Sequence, residues 1–117
     1  MINLPPSLQR FIFNHIGSVQ ELEVILLLRA WPERLWSGAT VARELKRDAY
    51  SCDKCLADLV RRGFAARSSI DPDGVRYAPQ PWSDQPLTLL AHLYPRHWTA
   101  VARVISSKAP ADARDPK

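Results

Sequence analysis

The chain has 117 residues, 46% of them hydrophobic and 24% charged, enough for one apolar core in an ordinary folded domain. Sixteen Lys and Arg against twelve Asp and Glu leave a net charge of +4, a modest bias toward a polyanionic partner that depends more on where the charges lie than on their sum. No apolar run reaches the roughly 20 residues of a membrane span. Met1 to Pro6 carry neither a basic stretch nor a long apolar one, so neither a membrane protein nor a signal peptide is expected, and the chain reads as cytoplasmic with its two cysteines reduced.

In chain order, Leu8, Phe11, Ile12 and Ile16 recur at helical spacing, which predicts a first helix over 7–16 ended by Gly17. Ser18-Val19-Gln20-Glu21 has the form of a capping box. The helix it opens is apolar almost all round through Leu28, as a central core helix would be, and Trp31-Pro32 stops it. Leu35-Trp36 is a short extended candidate. Ser37 then suits the N-cap of a helix over 38–46 with Val41, Ala42 and Leu45 inward. After the polar turn Lys46-Arg47-Asp48, a helix over 49–62 turns Cys52, Cys55, Leu56, Leu59 and Val60 inward, and Gly63 stands where a left-handed residue is needed.

The period then shortens. Residues 64–68 and 75–78 suit two strands joined by Asp71-Pro72-Asp73-Gly74, in which proline presets φ and glycine is expected to supply a positive φ. Ser83-Asp84 can cap a last helical region over 84–107. Along it Leu87, Leu90, Tyr94, Trp98, Val101 and Ile105 form one stripe, and Pro95 predicts a kink. Lys108 to Lys117, rich in Ala, Asp, Pro and charge, reads as a flexible tail. The expected fold is therefore mainly α with a small β-hairpin, a single domain over 1–107 with its centre at 18–79.

The order helix, turn, helix, hairpin resembles the winged helix-turn-helix superfamily, and in particular small bacterial regulators of the multiple-antibiotic-resistance-regulator type. The residues carrying the resemblance are Ser37-Gly38-Ala39-Thr40-Val41-Ala42-Arg43-Glu44-Leu45 and Leu56-Ala57-Asp58-Leu59-Val60-Arg61-Arg62-Gly63-Phe64-Ala65-Ala66-Arg67, completed by Asp73-Gly74 and Val75-Arg76-Tyr77. The resemblance implies a transcriptional regulator whose second motif helix, 49–62, reads double-stranded DNA in the major groove. Tyr50, Ser51 and Lys54 would then contact bases. Arg43, Lys46, Arg47, Arg61, Arg67 and Arg76 would contact the backbone, since phosphate contacts position and base contacts specify. The stripe from Leu87 to Ile105 would serve either a homodimer or packing on the first helix.

Charge complicates this reading. Residues 48–62 hold Asp48, Asp53 and Asp58 against Lys54, Arg61 and Arg62, so the reading helix is neutral. The surplus lies before it, at Arg29, Arg34, Arg43, Lys46 and Arg47 against Glu33 and Glu44. A winged-helix adaptor that binds a protein partner and no DNA would need no basic frame, and stands as the alternative. Cys52 and Cys55 at i and i+3 fit an inward helix face, with a redox pair as the sharper reading. Four ligands for a structural metal are not in sight, His15, His92 and His97 falling on other helices. Trp31, Trp36, Trp82 and Trp98 are expected to pack around the core rather than to stack on bases. No catalytic triad, phosphate loop or carboxylate pair occurs, so neither an enzyme nor a cofactor is expected.

Overall fold

The computed structural model describes residues 4–71 and 73–113, with side chains as far as Ser107. Five helices and one antiparallel hairpin follow in the order α1 (Pro6–His15), α2 (Val19–Ala30), α3 (Gly38–Leu45), α4 (Ala49–Arg61), β1 (Ala65–Arg67), β2 (Val75–Tyr77) and α5 (Pro81–Ala113). The chain is mainly helical with a small hairpin. Its contacts divide it into two compact units: residues up to Leu22 together with those from Gln85 on, and Glu23–Asp84. The α2 and α5 helices each run through the boundary.

In the first unit, α1 starts on Pro6, where the missing proline N–H is no loss because a first-turn amide has no intrahelical acceptor. Leu8, Phe11 and Ile12 are buried, as is Ile16, which caps the helix in an extended conformation. The Ser18 hydroxyl accepts the Glu21 amide at 3.0 Å, as a cap should. The Glu21 carboxylate reaches one residue beyond it and accepts the Gly17 amide at 2.6 Å.

The α5 helix begins at Pro81, three residues before the expected start. Ser83 does not cap it. The Ser83 side chain is buried and its hydroxyl donates to the Gln80 carbonyl at 2.9 Å, so the residue sits inside the first turn. Pro95 cannot donate to Ala91, and its ring crowds that carbonyl. Helical geometry is lost two residues later, at His97, with φ −128° and ψ 33°. The expected stripe is broken there. Leu87, Leu90, Val101 and Ile105 are buried within the single chain and Tyr94 is half-buried, but Trp98, just past the break, is 58% exposed. The helix continues to Ala113, so the segment expected as a tail from Lys108 starts helical. Residues 114–117 lie outside the described residues.

In the second unit, Val24, Ile25, Leu28, Trp36, Val41, Cys52, Leu56, Leu59, Phe64 and Val75 are buried. Ser37 caps α3 reciprocally with Thr40: its hydroxyl accepts the Thr40 amide at 3.2 Å and the Thr40 hydroxyl accepts the Ser37 amide at 2.8 Å. At the end of α4, Gly63 takes φ +88°. Its amide donates to Val60, and the Phe64 amide donates to Leu59 at 2.9 Å, closing the helix in a left-handed cap.

The strands pair Ala65 with Tyr77, Ala66 with Arg76 and Arg67 with Val75. Trp36 adds a bridge on the far side of β2: its amide donates to the Val75 carbonyl at 2.7 Å and its carbonyl accepts the Val75 amide at 2.8 Å. The turn differs from expectation. Gly74 has no positive φ; its amide donates to the Asp71 carbonyl at 2.8 Å, which makes it the last residue of the turn. Glycine there eases the packing, because a Cβ would sit tightly at 3.2 Å from Leu35 and 3.3 Å from the Asp71 carbonyl. Pro72 lies outside the described residues.

The tryptophans also correct the sequence reading. Trp36 is fully buried, but Trp31, Trp82 and Trp98 are more than half exposed, with Trp82 edge-on to Phe64 at 6.1 Å. Among the described residues no helix is long and apolar enough to cross a membrane.

Candidate nucleic-acid interface

The helix expected to read DNA uses its own acids for structure, one of them against α3. Gly38, buried at the start of α3, donates its amide to Asp53 Oδ1 of α4 at 3.1 Å. A Cβ on Gly38 would collide with that carboxylate and come within 2.9 Å of the Ala49 carbonyl. Glycine therefore lets the two helix starts approach, and the approach gives Asp53 its partner. Asp48 is the N-cap of α4: its carboxylate accepts the Ser51 amide at 2.8 Å and the Ser51 hydroxyl at 2.7 Å. These hydrogen bonds hold the Asp48 carboxyl below the usual aspartate range. Asp58 pairs with Arg61 and, at 2.9 Å, with Arg62 Nη1.

With Cys52, Leu56 and Leu59 buried, α4 turns Tyr50, Lys54, Ala57 and Arg61 outward, stepping by four, three and four residues along one exposed stripe. Tyr50 is 73% exposed, and the Lys54 ammonium lies 5.4 Å from the centre of its ring, a cation–π contact that presents aromatic face and charge together. Ser51 is less available than the sequence suggested, because its hydroxyl proton is committed to Asp48.

Some of the flanking cations are tied to acids of the chain. Arg43 and Lys46 are exposed at the end of α3. Lys46 caps that helix at φ 57°, a left-handed conformation unusual for a residue with a Cβ. Arg47 is paired with Glu23 at 3.0 Å, and Arg61 with Asp58. Arg67 and Arg76 are both exposed, but the strand register separates them. Cross-strand partners share a face and neighbours along a strand alternate. Arg76 therefore shares its face with Ala66, and Arg67 shares the opposite face with Val75. At the tip of the hairpin Ile70 is 92% exposed, with exposed Asp71 and Asp73 beside it.

Two features of this unit escaped the sequence reading. Arg34 lies over the buried Trp36 ring at 4.1 Å. The Tyr77 hydroxyl donates to Asp84 at 2.9 Å. Partial burial and that acidic partner push the Tyr77 phenol well above its ordinary pKa, with Arg29 pulling the other way. The i, i+7 spacing from Tyr77 to Asp84 runs across a loop and carries no local signal. Cys52 and Cys55 form no disulfide, the first being buried and the second half-buried. Among the described residues no three His, Cys, Asp or Glu side chains gather as a metal site would require. No family model, curated protein or solved structure matches the chain.

Proposed function

We propose that α3, α4 and the hairpin form a winged helix-turn-helix that binds double-stranded DNA as a transcriptional regulator in the cytoplasm, with α4 laid in the major groove. The observation that carries this reading is the outward stripe of α4. Each of the three acids that make the helix neutral in sequence has an internal partner: Asp48 the Ser51 amide, Asp53 the Gly38 amide, Asp58 two arginines. The stripe that remains carries Tyr50 and Lys54, an aromatic face and a donor of the kind that reads base edges. Ser51 can join them only as an acceptor. Arg43, Lys46 and Arg76 are exposed beside the stripe or on the hairpin and supply phosphate contacts. The protein is then neither an enzyme nor dependent on a cofactor.

A second reading is favoured by the hairpin tip. An exposed isoleucine followed by two exposed aspartates, whose charge repels phosphate, suits a protein surface, as in a winged-helix adaptor. Charge over Glu23–Asp84 points the same way, with ten Lys and Arg against nine Asp and Glu.

Salt separates the two. Genomic fragments selected by the purified chain should bind at ~50 mM salt, and affinity should fall by about 0.9 power of ten per tenfold salt for each phosphate contacted. K54A should weaken selected sites more than random duplex, whereas R76A should weaken both alike. Absence of duplex binding at low salt for every fragment would discard the DNA reading in favour of the adaptor.

A further inference from the structure

The first unit carries a feature that the DNA reading does not use. Residues of α1 and the C-terminal half of α5 line an open cleft of about 810 Å3, within the range of small-molecule sites. Three arginines line it: Arg10 from α1, and Arg96 and Arg103 from α5. None of the three has a hydrogen bond or ion pair among the described residues. Among the described residues no acid lines the cleft. Glu21 is the acid of this unit whose side chain the structure describes, and it is buried on the Gly17 amide. Arg47 by contrast is paired with Glu23, and Arg61 and Arg62 share Asp58. Three like charges lining one concavity repel one another and disfavour the folded chain unless an anion enters. The remaining wall is mixed, with Gln9, His97, Thr99 and Ser107 beside an apolar part formed by Leu4, Phe13, Ala100 and Val104, and Phe13 is 45% exposed.

We infer that this cleft binds an organic polyphosphate, a small molecule joining two or more phosphates to a flat apolar body, as a nucleotide does. Arginine forks match phosphate oxygens in pairs. Arg96 and Arg103 flank the break at His97, and the helical run from Trp98 to Arg103 alone rises roughly 7–8 Å at 1.5 Å per residue. A single carboxylate cannot span that distance, and a chain of phosphates can. The exposed Phe13 ring and the apolar part of the wall give the flat body a surface to lie on.

The test is calorimetric titration of the full chain with inorganic phosphate, tripolyphosphate and ATP, repeated on an R10Q/R96Q/R103Q variant and on an R67Q/R76Q control. ATP should bind at one site, at least tenfold more tightly than tripolyphosphate because of the apolar part of the wall. Inorganic phosphate should bind weakest. The cleft variant should lose at least tenfold in ATP affinity, and the hairpin control should keep it. Arginine Nε–H resonances provide a readout that survives a variant failing to fold: ATP should shift those of Arg10, Arg96 and Arg103 and leave that of Arg76 in place. No saturable binding of ATP or tripolyphosphate at millimolar concentration would overturn the assignment. So would equal affinity for both, or shifts confined to other arginines. If the cleft variant lost duplex affinity while the wild-type chain ignored ATP, the cluster would be a backbone contact and the small-ligand site would be withdrawn.

Discussion

At the scale of single residues, Lys46 and Asp53 show how side chains serve structure and surface together. Lys46 keeps a left-handed backbone that costs a residue with a Cβ about 1–2 kcal/mol, a conformation glycine adopts freely. Lys46→Gly should therefore raise stability by about 1 kcal/mol, read as a higher urea midpoint. If Lys46 contacts phosphate, the same change should lower the salt slope of duplex binding by about one unit. A stabilised variant with unchanged salt dependence would remove Lys46 from the interface. Asp53 reads in sequence as a charge near the groove, but its carboxylate satisfies the buried start of α3. Asp53→Ala should lower stability by about 1–2 kcal/mol. A variant as stable as the parent would show that the hydrogen bond between the helix starts contributes nothing.

At the scale of elements, the end of α4 and the hairpin give two further expectations. Gly63 takes a positive φ, and a Cβ there would meet the Gln80 amide at 2.7 Å. Gly63→Ala should cost at least the 1–2 kcal/mol of a left-handed alanine, visible as a drop in Tm. An unchanged Tm would contradict the cap geometry. Tyr77, at the end of β2, holds its proton more tightly when folded than when unfolded. Its contribution is complete below the unfolded tyrosine pKa of about 10 and is lost as pH rises toward the higher folded value. Unfolding midpoints should thus fall above about pH 10, and Tyr77→Phe should flatten that fall. The same slope in both chains would assign the alkaline loss elsewhere. Hairpin register has a functional corollary too. Since Arg67 and Arg76 occupy opposite faces, their alanine variants should differ in duplex affinity, and equal losses would require both faces to meet DNA.

At the scale of the whole molecule, two compact units share the chain, and charge is divided unevenly between them. Glu23–Asp84 is nearly balanced, and the positive surplus belongs chiefly to the rest. A homodimer is the form in which two α4 helices would address DNA half-sites one turn apart. Four of the six stripe residues proposed for that contact are buried within one chain. A dimer would have to use surfaces such as the exposed Trp98 instead. Light scattering at micromolar concentration should give twice the chain mass and, for Trp98→Ala, a single one; a single mass for the parent chain would discard the dimer.

Much of this architecture was legible from local chemistry. The Ser18 and Ser37 caps, the Gly63 left-handed stop, the inward face of α4 and the pairing of two short strands all follow from interactions within a few residues, where spacing alone decides which groups meet. The sequence by itself determined where helices start and stop and which of their faces are apolar. It could not show that Asp53 caps a neighbouring helix, that Arg67 and Arg76 part company across the hairpin, that Gly74 eases packing rather than supplying φ, or that the α5 stripe breaks at His97. Arg10 lies far along the chain from Arg96 and Arg103 and shares a cleft with them only in the folded first unit. Each of these was decided by contacts between distant elements, because a side chain's partner depends on which backbone folding brings beside it. The neutrality of α4, which counted against a nucleic-acid role in sequence, thus became a set of internal attachments that leave Tyr50 and Lys54 facing outward.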